Sequence, residues 1–140
     1  MDRFWTAERR AHHGLPHDPL CKLCSQEPET LDHLLAQCVF SRITWHEILS
    51  WCRLPVPIPS PADGFFTWWS MINSSAPAHL RNGANSAVAL TAWSIWKHSH
   101  AAVFDNTQPS NKDLARTIKE EARLWARAGA TRLGSIIDVT

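Results

Sequence analysis

The sequence predicts a mainly α-helical, ordered protein of one domain or of one domain with an arm, and one observation supports each part of this prediction. Apolar residues recur at helical spacing in several segments of the chain. Hydrophobic residues make up 44% of the 140 residues, which is too large a share for a disordered chain. No internal repeat is visible, so one domain, or one domain with an arm, accounts for the length. Most of the eight tryptophans are expected in the core or in a groove.

The N-terminal half is predicted to contain three helices. The first spans about residues 2–13, the second spans residues 31–37 after Thr30 as its N-cap, and the third spans about residues 41–52. In the third helix, apolar residues at i, i+3, i+4 and i+7 form one buried face. The residues of that face are Trp45, Ile48, Leu49 and Cys52.

A proline-rich segment divides the chain. The sequence LPVPIPSPADG, residues 54–64, contains four prolines that alternate with other residues. Proline at this density excludes a helix and indicates a stiff, extended spacer. We therefore predict an N-terminal region over residues 1–53, a linker over residues 54–64, and a Trp-rich helical region over residues 65–140.

The C-terminal region is predicted to be largely helical. FFTWWSMI, directly after the linker, fits either a helix or a strand, and residues 73–86 fit a loop. A long, alanine-rich buried helix is predicted over residues 87–104, and the clearest helix of the chain over about residues 111–128, capped by Ser110 or Asn111. Its basic face fits either phosphate contact or an ordinary solvated surface. That face consists of Lys112, Arg116, Lys119, Arg123 and Arg127.

Composition restricts the function classes. The formal net charge is +1, so any nucleic-acid contact must come from local charge. The N-terminus lacks the apolar run of a secretory signal, and no 18 consecutive apolar residues occur, so we expect no membrane span and a location in the nucleus or cytoplasm. No nucleophile elbow, P-loop or paired-carboxylate motif is present. We therefore predict no catalytic residues, no enzyme activity and no small-molecule substrate.

Three of the four cysteines lie in CKLCSQEPETLDHLLAQC, which begins at Cys21 and ends at Cys38. The spacing C-x2-C-x8-H-x4-C adds Cys24 and His33, and together these residues offer three thiolates and one imidazole. A structural zinc site needs four nitrogen or sulfur ligands around one point. The spacing therefore predicts one closed, structural Zn²⁺. The segment from Cys21 to Cys38 would then be a zinc knuckle, which flanking helices complete to the region of residues 1–53. The alternative is four unrelated residues, two in a loop and two on or beside a helix.

Other candidate ligands fit the pattern less well. Cys52 could replace His33 in an all-cysteine site, but its place on an apolar helix face favours a buried core thiol. The carboxylates of Glu27 and Glu29 in the knuckle loop are expected in solvent. The remaining histidines near the knuckle or in the long helix are expected at the surface, in loops or in a groove. These are His12, His13, His17, His98 and His100.

The knuckle resembles a known family. CKLCSQEPETLDHLLAQC followed by Trp45 is similar to the zinc-binding region downstream of the reverse transcriptase in plant LINE-type non-LTR retrotransposon polyproteins. That family has a CxxC, an acidic-Thr pair, a His-Leu-Leu run, a cysteine and a tryptophan, and this chain has each of them. FWTAERRAHHGL and AWSIWKHSHAAVF also resemble family segments. Where the family usually has an Arg-Asn pair after Trp-Lys, this chain has Ser99 and His100.

The resemblance implies binding to the element's RNA or to target DNA during reverse transcription. No Asp-Asp pair of a polymerase metal site and no RNase H carboxylate set is recognisable, so we expect a fragment without the catalytic modules. Candidate phosphate contacts are cations near the knuckle, and two tryptophans could stack on bases, although Trp45 also fits the core. These residues are Arg9, Arg10, Lys22, Arg42, Trp5 and Trp45. The alternative is a zinc-stapled structural or protein-interaction domain that binds no nucleic acid.

Overall fold

The structure is a computed structural model that describes residues 20–104 and 108–137. It is mainly α-helical, as the sequence predicts. Within the described residues, β-type pairing is limited to an isolated antiparallel bridge between Leu20 and Pro28. The predicted helix over residues 2–13 lies outside these ranges. The helices are α1 (Val39–Trp51), α2 (Phe65–Ser75), α3 (Arg81–Phe104), α4 (Asn111–Arg127) and α5 (Thr131–Gly134), with a π-helical turn (His33–Gln37) before α1 and a 3-10 turn (Ala78–Leu80) before α3.

The π-helical turn lies at the centre of the packing, because it contacts α1, α2 and α3. Helix α4 packs against α1 and α3, and α5 packs against α3 and α4. One hydrophobic cluster of buried residues includes members of all five helices. Among the described helices, none combines the length and the apolar character that a bilayer crossing requires.

Helix α1 confirms the predicted apolar face. The four residues of that face are buried, and Trp45 is fully inaccessible to solvent. The indole ring of Trp45 meets Trp68 edge-on with ring centroids 4.7 Å apart, and it lies 6.3 Å from the ring of Phe65. Helix α1 is thereby joined to α2 through aromatic contacts.

FFTWWSMI is helical, which resolves the alternative that the sequence left open. Phe65, Trp68 and Ile72 are buried at i, i+3 and i+7, so α2 presents one apolar stripe to the core. Its first backbone N–H groups need acceptors. The carboxylate of Asp32, 33 residues earlier in the chain, accepts a 2.9 Å hydrogen bond from the N–H of Phe65.

The proline-rich segment contains no helix, as predicted, and Pro61 and Ala62 form a turn near its end. Its carbonyl groups accept hydrogen bonds from side chains that precede the segment in the sequence and from one that follows it. The oxygen of Pro57 accepts from Trp68 Nε1 at 3.0 Å, that of Pro59 from Arg42 Nε at 2.9 Å, and that of Asp63 from Gln37 Nε2 at 3.1 Å. Proline carbonyls remain full acceptors although the residue has no N–H donor. The division of the chain into two regions at this segment stays a prediction.

Helix α2 continues to Ser75 and helix α3 begins at Arg81, so the loop predicted over residues 73–86 is correct only for the short connection 76–80. This first part of α3 contains Gly83, and glycine lowers helix propensity. The structure shows why a glycine is present. A Cβ at Gly83 would lie 2.6 Å from the backbone oxygen of Arg132, so only glycine allows α5 to pack this closely against α3. The Asn85 side chain also accepts from Trp69 Nε1 at 2.8 Å.

We expect Gly83→Ala to lower the free energy of unfolding by about 1–2 kcal/mol. The added methyl group overpacks the contact with the α5 backbone, and this outweighs the roughly 1 kcal/mol by which alanine favours a helix. The measurement is the urea midpoint. Asn82→Ala, at the neighbouring exposed position of α3, is the matched control and should leave the midpoint unchanged or slightly higher. A raised midpoint for Gly83→Ala would contradict close packing of α5 on α3.

Helix α4 forms as predicted. The hydroxyl oxygen of Ser110 accepts a 3.2 Å hydrogen bond from the N–H of Asp113, which confirms Ser110 as the N-cap. Leu114, Ile118 and Ala122 are buried on its apolar face. Trp125, which the periodicity places on the same face, is 36% exposed.

Candidate metal centre

The first two cysteines lie on a tight turn. The carbonyl of Cys21 accepts from the N–H of Ser25 at 2.7 Å, and the N–H of Cys21 donates to the carbonyl of Glu27 at 2.8 Å. Ser25 adopts a left-handed backbone conformation with φ of 58°, which reverses the chain direction after Cys24. The turn holds the Cys21 and Cys24 sulfurs on one side of the loop, as CxxC spacing predicts.

The other two residues are placed by the π-helical turn. The hydroxyl oxygen of Thr30 accepts a 3.1 Å hydrogen bond from the N–H of His33, which confirms Thr30 as a helix cap. The turn closes with a 2.7 Å bond from the N–H of Cys38 to the carbonyl of His33. This five-residue step is wider than an α-helical turn, and such turns occur often at functional sites. It returns Cys38 to the side of His33.

The four side chains predicted to bind metal converge. Their ligand atoms all lie within 4.8 Å of one another. The Sγ atoms of Cys21 and Cys38 are 3.8 Å apart, and Cys24 Sγ is 3.3 Å from His33 Nε2. Zinc–sulfur bonds of about 2.3 Å at tetrahedral angles separate two sulfurs by about 3.8 Å, and a sulfur from a nitrogen by about 3.5 Å. The donor set and its spacing therefore fit Zn²⁺.

Hydrogen bonding favours thiolate character at Cys38, whereas burial by itself opposes it. Cys21 and Cys38 are fully buried and His33 is nearly so, whereas Cys24 is half-buried. The hydrogen bond that the two buried sulfurs share lowers the pKa of Cys38 and raises that of Cys21, because one proton serves both sulfurs. The backbone N–H groups of Ser41 and Phe40 also lower the pKa of Cys38. Such donors stabilise the thiolate form, which is the form of the sulfur that binds a metal.

Trp45 supports the site from the core. The π-helical turn leaves carbonyl groups at its end that no helix N–H satisfies. The carbonyl of Leu35 accepts from Trp45 Nε1 at 2.7 Å, and that of Leu34 accepts from the hydroxyl of Ser41. Of the two roles that the sequence allowed for Trp45, its full burial favours the core position over base stacking.

Glu29 is buried, so the prediction that its carboxylate lies in solvent is wrong. It is 2% exposed, and Ser99 donates a hydrogen bond of 3.2 Å to its Oε1. The two residues are 70 positions apart. The bond joins the knuckle loop to α3, and sequence periodicity contains no signal for it, since the partners are remote along the chain.

A groove of about 380 Å³ borders the half-buried side of the site. It is lined by Cys24, His33 and Arg42, together with Gln26, Glu27, Gln37, Val39 and Pro61. Lys22 is half-buried in the adjacent CxxC turn. The structure thus places Arg42 at the cluster. Arg9, Arg10 and Trp5 lie outside the described residues, as do His12, His13 and His17.

The remaining candidates lie away from the cluster. Cys52 is buried in the core, as predicted. His98 is half-buried, stacks on Phe40 with ring centroids 5.7 Å apart, and accepts a 3.0 Å hydrogen bond from the N–H of Ser110 through Nε2. Burial lowers its pKa. On the basic face of α4, Lys119 and Arg123 lie over the ring of Trp51 at 5.9 and 5.5 Å.

We expect Cys52 to resist alkylation in the native protein. Burial raises the pKa of its thiol to about 12, so roughly one molecule in ten thousand carries the reactive thiolate at pH 8. Peptide mapping after iodoacetamide treatment at pH 8 should find Cys52 unmodified, while the same treatment in denaturant modifies all four cysteines. Rapid modification of Cys52 in the folded chain would show that this helix face opens to solvent.

Comparison with known protein families gives a match at the N-terminal end of the sequence. Residues 1–45 match a family model described as zinc-binding in reverse transcriptase. The match covers 45 of the 140 residues of the chain. No curated protein and no solved structure matches. The segment that brings together Cys21, Cys24, His33 and Cys38 thus matches the zinc-binding family of reverse transcriptases.

Proposed function

We propose that this chain is a retrotransposon-derived zinc-binding module that binds nucleic acid beside its metal centre and has no catalytic activity of its own. Cys21, Cys24, His33 and Cys38 hold one structural Zn²⁺ in this proposal. The observation that supports the metal role is the convergence of their four ligand atoms within 4.8 Å. Four protein ligands complete a tetrahedral shell, whereas a catalytic zinc keeps one position for water or substrate.

Arg42 supports the choice of nucleic acid as the partner. Its Nε donates to the carbonyl of Pro59, which orients the guanidinium at the groove beside Cys24 and His33. That bond uses one of five N–H donors, and the two terminal amino groups form the fork that binds phosphate oxygens in pairs. A zinc ion with three thiolates has a net negative charge. The phosphate is therefore expected on Arg42, and not on the metal.

The second candidate is a zinc-stapled structural or protein-interaction domain. Two observations favour it: the net charge of the chain is only +1, and Trp45, one of the proposed stacking rings, belongs to the core. On this alternative the metal only holds the knuckle loop and the π-helical turn together. Both candidates require zinc, so nucleic-acid binding separates them.

The test measures zinc first and binding second. Native mass spectrometry should find one zinc per chain, and Cys24→Ser and His33→Ala should lose it. Fluorescence anisotropy of labelled RNA and DNA oligonucleotides should then show binding by the zinc-loaded chain. Arg42→Ala should lower the salt dependence of that binding by about one phosphate contact.

Arg132→Ala is the matched control, because Arg132 is an exposed arginine on α5 and does not line the groove. It should leave the affinity and its salt dependence nearly unchanged. A folded, zinc-loaded chain that binds no oligonucleotide would reject nucleic-acid binding and favour the structural module. Failure to bind zinc would overturn both candidates.

A further inference from the structure

The four side chains of the metal centre differ in their access to solvent. Cys21 and Cys38 are fully buried and His33 is 7% exposed, whereas Cys24 is half-buried. Of the three cysteines in the cluster, Cys24 lines the groove of about 380 Å³ beside the metal centre. A small molecule that enters this groove therefore reaches the sulfur of Cys24 before the other two sulfurs.

The groove suits a small, neutral, polar molecule. Its lining includes one cation and one anion, Arg42 and Glu27, and the amides of Gln26 and Gln37. A neutral molecule does not lose the hydration of an ion when it enters, and the charged and amide groups offer it hydrogen bonds. Hydrogen peroxide has this size and polarity, so it fits the space beside Cys24.

Two further sulfurs lie close enough to Cys24 to complete an oxidation. The Sγ atoms of Cys21 and Cys38 are each within 4.8 Å of Cys24 Sγ. A disulfide joins two sulfurs at about 2.05 Å, so a relative shift of about 3 Å or less brings either of them to bonding distance. Cys52 is outside this group and is buried in the core. An oxidised Cys24 therefore has a partner within the cluster itself.

We propose that Cys24 is a modification site at which hydroperoxides oxidise the cluster and release its zinc. The thiolate sulfur of Cys24 attacks one peroxide oxygen, the O–O bond breaks and hydroxide departs, so that Cys24 becomes a sulfenic acid. The thiolate of Cys21 or Cys38 then attacks that sulfur, an S–S bond forms, and the S–O bond breaks with loss of a second hydroxide. The two sulfurs thereby give two electrons to the peroxide. The disulfide no longer supplies two thiolates, so two of the four zinc ligands are lost.

The experiment treats the full-length, zinc-loaded chain with a substoichiometric amount of hydrogen peroxide in the presence of dimedone, which traps sulfenic acids. Peptide mapping locates the modified cysteines, and a zinc indicator dye measures released zinc. We expect at least roughly tenfold more adduct at Cys24 than at Cys21 or Cys38, because thiol oxidation follows the exposure of the thiolate. Each disulfide should include Cys24, zinc should be released in proportion to its oxidation, and Cys52 should remain a thiol.

Cys24→His tests whether this thiolate controls the release of zinc. Imidazole is also a zinc ligand, so the variant is expected to bind zinc, but it offers peroxide no thiolate in the groove. Peroxide should then release zinc at least roughly tenfold more slowly than from the wild-type chain. Cys52→Ala is the matched control, because Cys52 is a buried cysteine outside the cluster, and it should release zinc at the wild-type rate. If Cys24→His binds no zinc, the adduct map of the wild-type chain decides.

The inference rests on the zinc site of the proposed function and is independent of nucleic-acid binding. A cluster that peroxide leaves unoxidised, or adducts spread evenly over its three cysteines, would reject the modification site and leave the zinc-binding module in place. Zinc retained by a chain whose Cys24 is oxidised would reject the release step. A wild-type chain that binds no zinc would reject this inference together with the metal centre. The expected result in a chain that binds no oligonucleotide would support this inference and reject only nucleic-acid binding.

Discussion

Removal of zinc is expected to unfold the knuckle and to destabilise the helices packed on it. Structural zinc sites in small peptides contribute about 10–16 kcal/mol of apparent binding free energy, which is comparable to the entire stability of a small domain. The π-helical turn that holds His33 and Cys38 contacts α1, α2 and α3, so its loss affects most of the described core. We therefore expect a chelator, or His33→Ala, to lower the helical circular dichroism signal and the melting temperature together.

Acidification should have the same effect as chelation. Zinc binds thiolates and neutral imidazole, so protons compete with the metal for all four ligands, and zinc affinity falls as pH falls. In a pH titration, released zinc is measured by the absorbance of a zinc indicator dye, and helix content is measured by circular dichroism. Both signals should change over the same pH range. Cys52→Ala is the control, because Cys52 is a buried cysteine outside the group of four. It should retain one zinc per chain. Unchanged melting of the metal-free chain would show that the cluster does not stabilise the fold.

Trp45→Ala is expected to have the second largest effect. The substitution opens a cavity beneath the π-helical turn and removes the aromatic contacts with Trp68 and Phe65. Truncation of a buried aromatic residue costs about 3–5 kcal/mol, and loss of the donor to Leu35 adds to this. Chemical denaturation of the zinc-loaded protein should therefore show a large drop in the unfolding free energy, and the variant is expected to bind zinc more weakly.

Trp45→Phe separates the two contributions to this effect. Phenylalanine keeps most of the apolar volume but leaves the Leu35 carbonyl without its donor, so a loss of about 1–3 kcal/mol is expected. Trp125→Ala serves as the comparison, because Trp125 is 36% exposed whereas Trp45 is fully buried, so its effect should be clearly smaller. Equal losses for Trp45→Ala and Trp125→Ala would be inconsistent with the burial of Trp45.

The ligand set and most helices were determined by the sequence alone, because both depend on short-range patterns. Cys21, Cys24, His33 and Cys38 lie within 18 residues, and their spacing was sufficient to predict a convergent cluster. Helices α1 and α4 follow from apolar periodicity, and the caps at Thr30 and Ser110 follow from the preference of hydroxyl side chains for exposed N–H groups. All of these signals involve partners within a few turns of each other.

Only the tertiary structure decided which polar and aromatic residues belong to the interior. Asp32 caps α2 from 33 residues away, and Glu29 is buried against Ser99 at a separation of 70 residues. Gly83 is accommodated in α3 because the α5 backbone approaches it. These pairings depend on how helices pack, and packing brings together residues that no local pattern relates. The sequence therefore identified the four candidate zinc ligands, whereas the packing decided that Trp45 belongs to the buried core.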